Sequence, residues 1–485
     1  MQLLKNRHPS KIARERLDWQ VVEVAIIDNG INSGLLQQRV KGNVAIGISN
    51  QVEPDNPCFD EQQSIHGTNC AMIIEKYNPL VALHSIRILA DDGKGIIDKL
   101  QPALEYCNQN NIRLVNLSLG TTHFMDKTVI RRVINHYVNR GMVIVAATAN
   151  SGYRTYPASF SNIIGVASGT EYAIDKNLYW QIGVELVAPS EHEMNLGEYI
   201  FTLGKSNSYA APYITAKVGN MLTENEDYNV CQIKNKMLQG NHMDSVYPDW
   251  IESAWFPSTC KVSRASYYFT EKRGTYRSCY AQIDTIVLQS RAEYDLYGDS
   301  DKHIVYLGEE PIEDRAVNRH FWCKAQREIQ IANSKNREAD IDIPVIIFRI
   351  DQGLDDLLWL IQLKECFGKD GYNAYTISHR LESVLYDLEY IPAEVCIADK
   401  KEILYDFLYW QTYYNQADII IWGSELEQKE TDMFVDISLV GGQVSADIYY
   451  DGHISVEKIF TGTEGENIKS LYHYIVELLT EESNE

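Results

Sequence analysis

Long apolar runs are missing from this chain of 485 residues. No stretch approaches the roughly 20 apolar residues needed to span a bilayer, so the sequence predicts no membrane crossing. The opening residues, MQLLKNRHPSKIARERL, are basic and mostly polar and lack the apolar core of a secretory signal. Paired cysteines are missing too. The nine cysteines fall singly between Cys58 and Cys396, with no C-x-x-C, a poor disulfide framework and a poor zinc site. Positive charge is scarce: 44 Lys and Arg stand against 67 Asp and Glu, a formal net charge of -23. With no basic stripe, phosphate-backbone binding is disfavoured, and the charge suits a solvated acidic surface or a cationic peptide partner. Near Ile341 neither G-x-G-x-x-G nor a phosphate loop occurs, so nucleotide binding has no motif behind it. Together these absences predict a cytoplasmic protein with no cofactor, no metal, no nucleic acid and no membrane among its partners.

What is present belongs to a folded chain, 45% hydrophobic and 23% charged, and long enough for two or three domains. From Val21 apolar runs alternate with amphipathic stretches. Strands are expected over Val21 to Ile27, Leu80 to Leu89, Leu114 to Leu119 and Val143 to Thr148. Helices are expected over His66 to Tyr77, Lys99 to Gln109 and Val129 to Asn139, and again from Ser208 to about Leu222. That βαβ rhythm predicts an α/β fold, with a mostly parallel sheet covered on both faces and functional groups at the carboxyl ends of its strands.

After Thr223 the character changes. The organisation expected is an N-terminal unit over 1–225, a middle region of mixed fold over 226–340 and a second α/β domain over 341–485. The middle region offers short strands at Thr285 to Leu288 and His303 to Leu307. The last unit offers strands at Ile343 to Ile350, Ala374 to Ile377 and Asp418 to Trp422, and a hairpin pairing Phe434 to Val440 with Ser445 to Tyr450 through Gly441-Gly442. Its helices are expected over Leu354 to Phe367 and Ile468 to Leu479. Asp351, Asp355 and Asp356 read as a helix start rather than a metal site.

Three segments carry chemistry: Ile26-Ile27-Asp28-Asn29-Gly30, Ile65-His66-Gly67-Thr68 and Asn207-Ser208-Tyr209-Ala210-Ala211-Pro212. A serine hydroxyl needs a base within reach to become a nucleophile. Histidine titrates near neutrality and suits that task, and a buried carboxylate holds the imidazole in the right tautomer and balances its charge. Asp28 would close a strand, while His66 and Ser208 would each open a helix. Taken singly, the first could be a turn, the second a helix-start histidine and the third an N-cap.

With these flanks and in this order, the first 220 or so residues resemble the subtilisin-like family of serine peptidases, whose chain order is Asp, His, Ser. Val115-Asn116-Leu117-Ser118-Leu119-Gly120 resembles the family's substrate-pairing strand, which implies substrate binding at Ser118, Leu119 and Gly120. Val143 to Gly152 resembles the strand that ends in the oxyanion asparagine, here Asn150. A neutral amide there can donate to the negative oxygen formed on attack without burying a charge. Two positions depart from the family pattern: Ser206-Asn207 replaces Gly-Thr before the nucleophile, and Ala149 replaces the glycine before Asn150. Both add bulk near the substrate backbone, and the Asn207 amide could support the oxyanion where a threonine hydroxyl would. The resemblance implies an intracellular serine endopeptidase acting on peptide or protein substrates. Architecturally the chain is similar to bacterial peptide-maturation proteases, which implies a precursor peptide held by the C-terminal domain while its leader is cut. With an aspartate this close to the start, the C-terminal half is also the candidate for restraining activity. The alternatives are a catalytically decayed binding or scaffold protein and a general cytosolic protease.

Overall fold

The computed structural model describes residues 21–37, 40–55, 65–196, 199–240, 245–257, 263–314, 316, 318–334, 341–396, 401–424, 431–450 and 453–481. The first sheet comprises β1 (Glu23–Asp28), β2 (Gly42–Ile46), β3 (Val52–Pro54), β4 (Ala82–Arg87), β5 (Leu114–Leu117), β6 (Val143–Ala147), β7 (Ile164–Gly169), β8 (Ala173–Ile174) and β9 (Leu186–Pro189). Their order is β3-β2-β4-β1-β5-β6-β7-β9-β8, parallel except where β3 and β8 pair antiparallel at the two edges. β1 reads as an unbroken apolar run because both of its faces are covered. Val24 and Ile26 join a core with α1 (His66–Tyr77) and α4 (Asn207–Glu224), through Cys70, Ala71, Ile74, Ala210, Ala211 and Ile214. Ala25 and Ile27 join the opposite core, with Ala103 and Leu104 of α2 (Leu100–Gln109) and Ile130 and Ile134 of α3 (Asp126–Val138). The period of two along the strand therefore sends alternate residues to opposite helical layers. The α1 and α4 layer brings two helix starts to the carboxyl edge of the sheet.

A hairpin of β10 (His192–Leu196) and β11 (Tyr199–Leu203) precedes α4. Next come five short parallel strands, β12 (Ser253–Trp255), β13 (Thr270–Lys272), β14 (Thr285–Leu288), β15 (His303–Tyr306) and β16 (Phe321–Trp322), in the order β13-β12-β14-β15-β16. The third sheet has β17 (Val345–Ile350), β18 (Ala374–Ser378), β19 (Glu389–Tyr390), β20 (Ile419–Gly423), β21 (Met433–Val440), β22 (Gln443–Tyr450) and β23 (His453–Phe460), ordered β19-β18-β20-β17-β21-β22-β23. It is packed by α5 (Asp356–Lys369), α6 (Lys401–Asn415) and α7 (Glu464–Glu481). The fold is α/β, with a nine-stranded, mostly parallel sheet in the N-terminal part and further sheets beyond it. One apolar cluster runs from Trp250, Val287, Val305 and Trp322 to Ile346, Phe348, Leu360 and Leu363, so the second and third sheets share a core.

Gly441 and Gly442 form the turn between β21 and β22, both at positive φ. Asp355 caps α5 through the Leu358 N–H, and Asp356 pairs with Arg380. The α6 helix and the β10–β11 hairpin stand outside the sequence expectations. In α6, Leu404, Phe407 and Leu408 are buried while Tyr405, Tyr409, Trp410, Tyr413 and Tyr414 surround them, so apolar residues on every side hide the helical period. Strands of two or three residues, such as β12 and β16, are too short to show one. Among the described residues, no helix is long and apolar enough to cross a membrane.

Candidate active site

Asp28 is the last residue of β1 and is 1% exposed. Its carboxylate faces the Nδ1 of His66 at 2.8 and 3.0 Å and accepts the Asn29 N–H at 2.8 Å. Asn29 in turn accepts the Gly67 N–H at 2.9 Å, and Asn32 donates its N–H to Thr68 Oγ1 at 2.8 Å. The stretch after β1 is therefore a cradle for the first turn of α1. Gly67 is required there, since a Cβ would stand 2.3 Å from the Gly30 carbonyl oxygen. Burial draws the His66 pKa down, but the hydrogen bond and charge of Asp28 outweigh it, and the imidazole sits above its ordinary value.

Ser208 lies in the first turn of α4, beside the start of α1. Tyr209 stacks on the His66 ring at 5.5 Å and accepts from Asn69 Nδ2 at 3.1 Å. The Tyr209 carbonyl faces His192 Nε2 at 3.0 Å, so the β10–β11 hairpin steadies the same turn. Beneath it runs a buried polar chain. Thr215 Oγ1 donates to Asn116 Oδ1 at 2.8 Å, Asn116 Nδ2 donates to Ser118 Oγ at 3.0 Å, and Ser118 Oγ donates to the Ser208 carbonyl at 2.8 Å. Satisfied networks of this kind hold a single geometry. The Ser208 hydroxyl itself has no hydrogen-bond partner among the described residues.

Asn150 stands just beyond β6 and is exposed. Its Oδ1 accepts the Asn207 N–H at 3.0 Å, and its Nδ2 donates to Ser206 Oγ at 3.4 Å. The Asn207 side chain takes the Ser168 N–H at 2.7 Å and gives to the Ala149 carbonyl at 2.9 Å. Its amide is thus a brace between β7 and the Asn150 loop and is not free for an oxyanion. Ser118 is buried with its hydroxyl committed below Ser208, whereas Leu119 and Gly120 leave β5 with no backbone hydrogen bond among the described residues. Thr121 then bridges Tyr156. At Gly120 a Cβ would press on Thr155 at 2.7 Å, so the strand and the Asn150 loop form adjacent walls.

Asp28, His66 and Cys70 form the only group of potential metal ligands close together among the described residues, their ligand atoms within 4.8 Å of one another. Complete burial pushes the Cys70 thiol well above its usual range, helped by the Asp28 charge, and the thiol lies against Ser118 Oγ at 3.3 Å. A protonated thiol does not suit a metal. Cys70 and Thr215 escaped the sequence reading, and Asn116 and Tyr209 entered it only as flanking residues; of the four only Asn116, polar inside an apolar strand, carried a signal of its own.

The distant part of the chain touches this site. Tyr153 packs on Tyr413 of α6 at 5.5 Å, the Arg154 N–H donates to the Tyr414 carbonyl at 2.8 Å, and the buried Arg154 guanidinium donates to Tyr247 and Gln411. His84 and His123 have ordinary duties, paired with Glu23 and Asp126.

Residues 20–247 match the model of the subtilase family. Subtilisin BL of Lederbergia lenta is 26% identical over 231 residues, covering 44% of this chain and 81% of the relative. Thermitase of Thermoactinomyces vulgaris is 28% identical over 222 residues, covering 42% and 74%. A solved cold-adapted subtilisin-like serine proteinase aligns over 45% of this chain and 81% of its own, at 20% identity and a TM-score of 0.35. Motif order, the family model over residues 20–247 and the matching relatives together support a subtilisin-like serine peptidase of the subtilase family.

Proposed function

We propose that Ser208 is the nucleophile, His66 the general acid and base, Asp28 the group that orients and charges the imidazole, and Asn150 together with the Ser208 N–H the oxyanion donors. The observation that carries this reading is the His66 Nδ1 held by both oxygens of a buried carboxylate, beside the first turn of α4. In this reading His66 would use its other nitrogen, Nε2, on Ser208, supported by the stacking of Tyr209 on the same ring, at a helix start whose dipole favours developing negative charge. Contacts of this kind commonly shorten only when substrate binds. As the hydroxyl attacks, its proton passes to His66, the imidazolium is balanced by Asp28, and the carbonyl oxygen gathers charge before the donors. An extended substrate would add as a strand along Leu119 and Gly120.

For the whole protein we propose an intracellular, substrate-selective endopeptidase that trims the leader of a ribosomal precursor. The C-terminal domain, 341–485, would hold that precursor and raise its local concentration at the cleft. Two observations support this. The α6 helix meets Tyr153 and Arg154, next to the proposed cleft, and Cys70, Cys107, Cys231, Cys279, Cys323 and Cys366 are free thiols, as a reducing compartment favours. The test is labelling by a fluorophosphonate probe followed by mass spectrometry of products from a peptide library. Labelling that depends on Ser208 and His66, with a narrow set of cuts, is expected. Absence of labelling would support a scaffold instead, and ready digestion of unfolded casein a general protease.

A further inference from the structure

Ser206 stands where the family pattern has a glycine, and the structure gives its extra oxygen a definite place. The residue caps α4 with extended backbone, φ -157° and ψ 141°. Its hydroxyl oxygen accepts the Ser208 N–H at 3.3 Å and lies 3.4 Å from Asn150 Nδ2, which donates to it. These are the two groups assigned above as oxyanion donors, from segments 56 residues or more apart, and they converge on a single point. An oxygen already sits there, and it belongs to the chain itself.

We infer that the Ser206 hydroxyl fills the oxyanion position of the free peptidase and must turn away about its Cα–Cβ bond before an acyl oxygen can enter. The inference rests on the reading of Ser208 and Asn150 given above. Nothing else needs to move. The Asn150 amide is held from its other end by the Asn207 N–H, and Asn207 is fixed by Ser168 and Ala149. Ser206 is only half-buried, so its hydroxyl can swing to water. The incoming oxygen inherits both donors, now charge-assisted and stronger. Ser206 thus acts as a competitor inside the site that slows every substrate by a similar factor, whatever its sequence.

A fluorophosphonate reads this without a known substrate. Ser208 Oγ bonds to phosphorus, fluoride leaves, the serine proton passes to His66, and the phosphoryl oxygen enters the oxyanion position. The second-order labelling rate of the full chain is compared with those of Ser206→Gly, Ser206→Ala and Ser206→Thr. Releasing two ordinary hydrogen bonds predicts roughly 5- to 50-fold faster labelling in the glycine and alanine variants. The threonine variant keeps the hydroxyl and stays slow, and the pH midpoint set by His66 stays put in all of them. Glycine retains most of the capping preference, and alanine provides a second vacated site should one variant fold poorly. Labelling that is unchanged or slower in both would overturn the inference, making the hydroxyl a bystander or a donor. Absence of labelling from every protein, wild type included, would overturn the reading of Ser208 and the inference with it.

Discussion

Two serine–histidine pairs sit at the carboxyl ends of sheets in this molecule, one in the first sheet and one in the third. In the third, His379 follows β18 and Ser424 follows β20; His379 Nε2 lies 3.2 Å from Ser424 Oγ, and its Nδ1 faces the Ile391 carbonyl at 2.8 Å. That serine and histidine are in direct hydrogen-bond contact. What differs is the group held at the histidine Nδ1 and the state of the serine N–H. A backbone carbonyl can select a tautomer but cannot balance an imidazolium as the Asp28 carboxylate can. The Ser424 N–H is also locked to the Phe348 carbonyl at 2.9 Å, whereas the Ser208 N–H opens from a helix start onto a side chain that can rotate. A nucleophilic site is thus marked less by the serine–histidine contact than by the group behind the histidine and the donor beside the serine.

The strongest way to break that contrast is to remove each serine. Ser208→Ala should slow peptide cleavage by roughly 10⁴- to 10⁶-fold, while Ser424→Ala should stay within about twofold of wild type; comparable losses in a peptide-cleavage assay would erase the distinction. Asp28→Asn tests the charge behind His66 directly. It should cost about 10⁴-fold in kcat with the fold unchanged by circular dichroism, and a loss below tenfold would reduce Asp28 to a spacer. Asn150→Ala removes one donor and should lower kcat roughly 100- to 1,000-fold with little effect on KM.

Smaller effects sharpen the comparison between the peptidase part and the rest. Asp387 lies at the junction and accepts from Lys127 and Arg131 of α3, with Lys364 of α5 3.7 Å away. Burial alone would raise its pKa, but these cations hold the carboxyl well below its usual range. Asp387→Asn leaves Arg131, 3% exposed, without its hydrogen-bonded counter-charge and should cost about 3 kcal/mol in urea denaturation. An unchanged first transition would mean that the two parts unfold independently. The mildest test is pH. His66 must be neutral to accept a proton, and its pKa lies above the ordinary 6.5, so kcat/KM should rise with pH through an ionisation above that value. Asp28→Asn should bring the residual activity's midpoint down, and a midpoint already below 6.5 in the wild type would contradict the Asp28–His66 coupling.

Much of the first sheet was legible because its signals are local. The double-sided apolar run of β1, the His66–Tyr77 helix and the Gly441-Gly442 turn each follow from a few neighbouring residues. The aromatic-coated α6 and the shortest strands were illegible, since their identity comes from what packs against them. At the site, Asp28, His66, Ser208 and Asn150 carried their own flanks. The Ser118 hydroxyl is drawn under the Ser208 carbonyl, a placement its flanks do not announce. The Asn207 amide likewise went to Ser168 and Ala149, partners that no nearby spacing announces.

By itself, the sequence determined the α/β plan, the order of the reactive residues and the local frames that present them, because strand ends, close-approach glycines and helix caps are set within a few residues. Tertiary structure alone decided that Asn116 and Thr215 would underpin the Ser208 carbonyl, that α6 would lean on Tyr153, and that the Ser206 hydroxyl would meet Asn150. Each of these joins residues tens to hundreds of positions apart. Only the closing of the sheets around shared cores brings such groups within hydrogen-bonding distance.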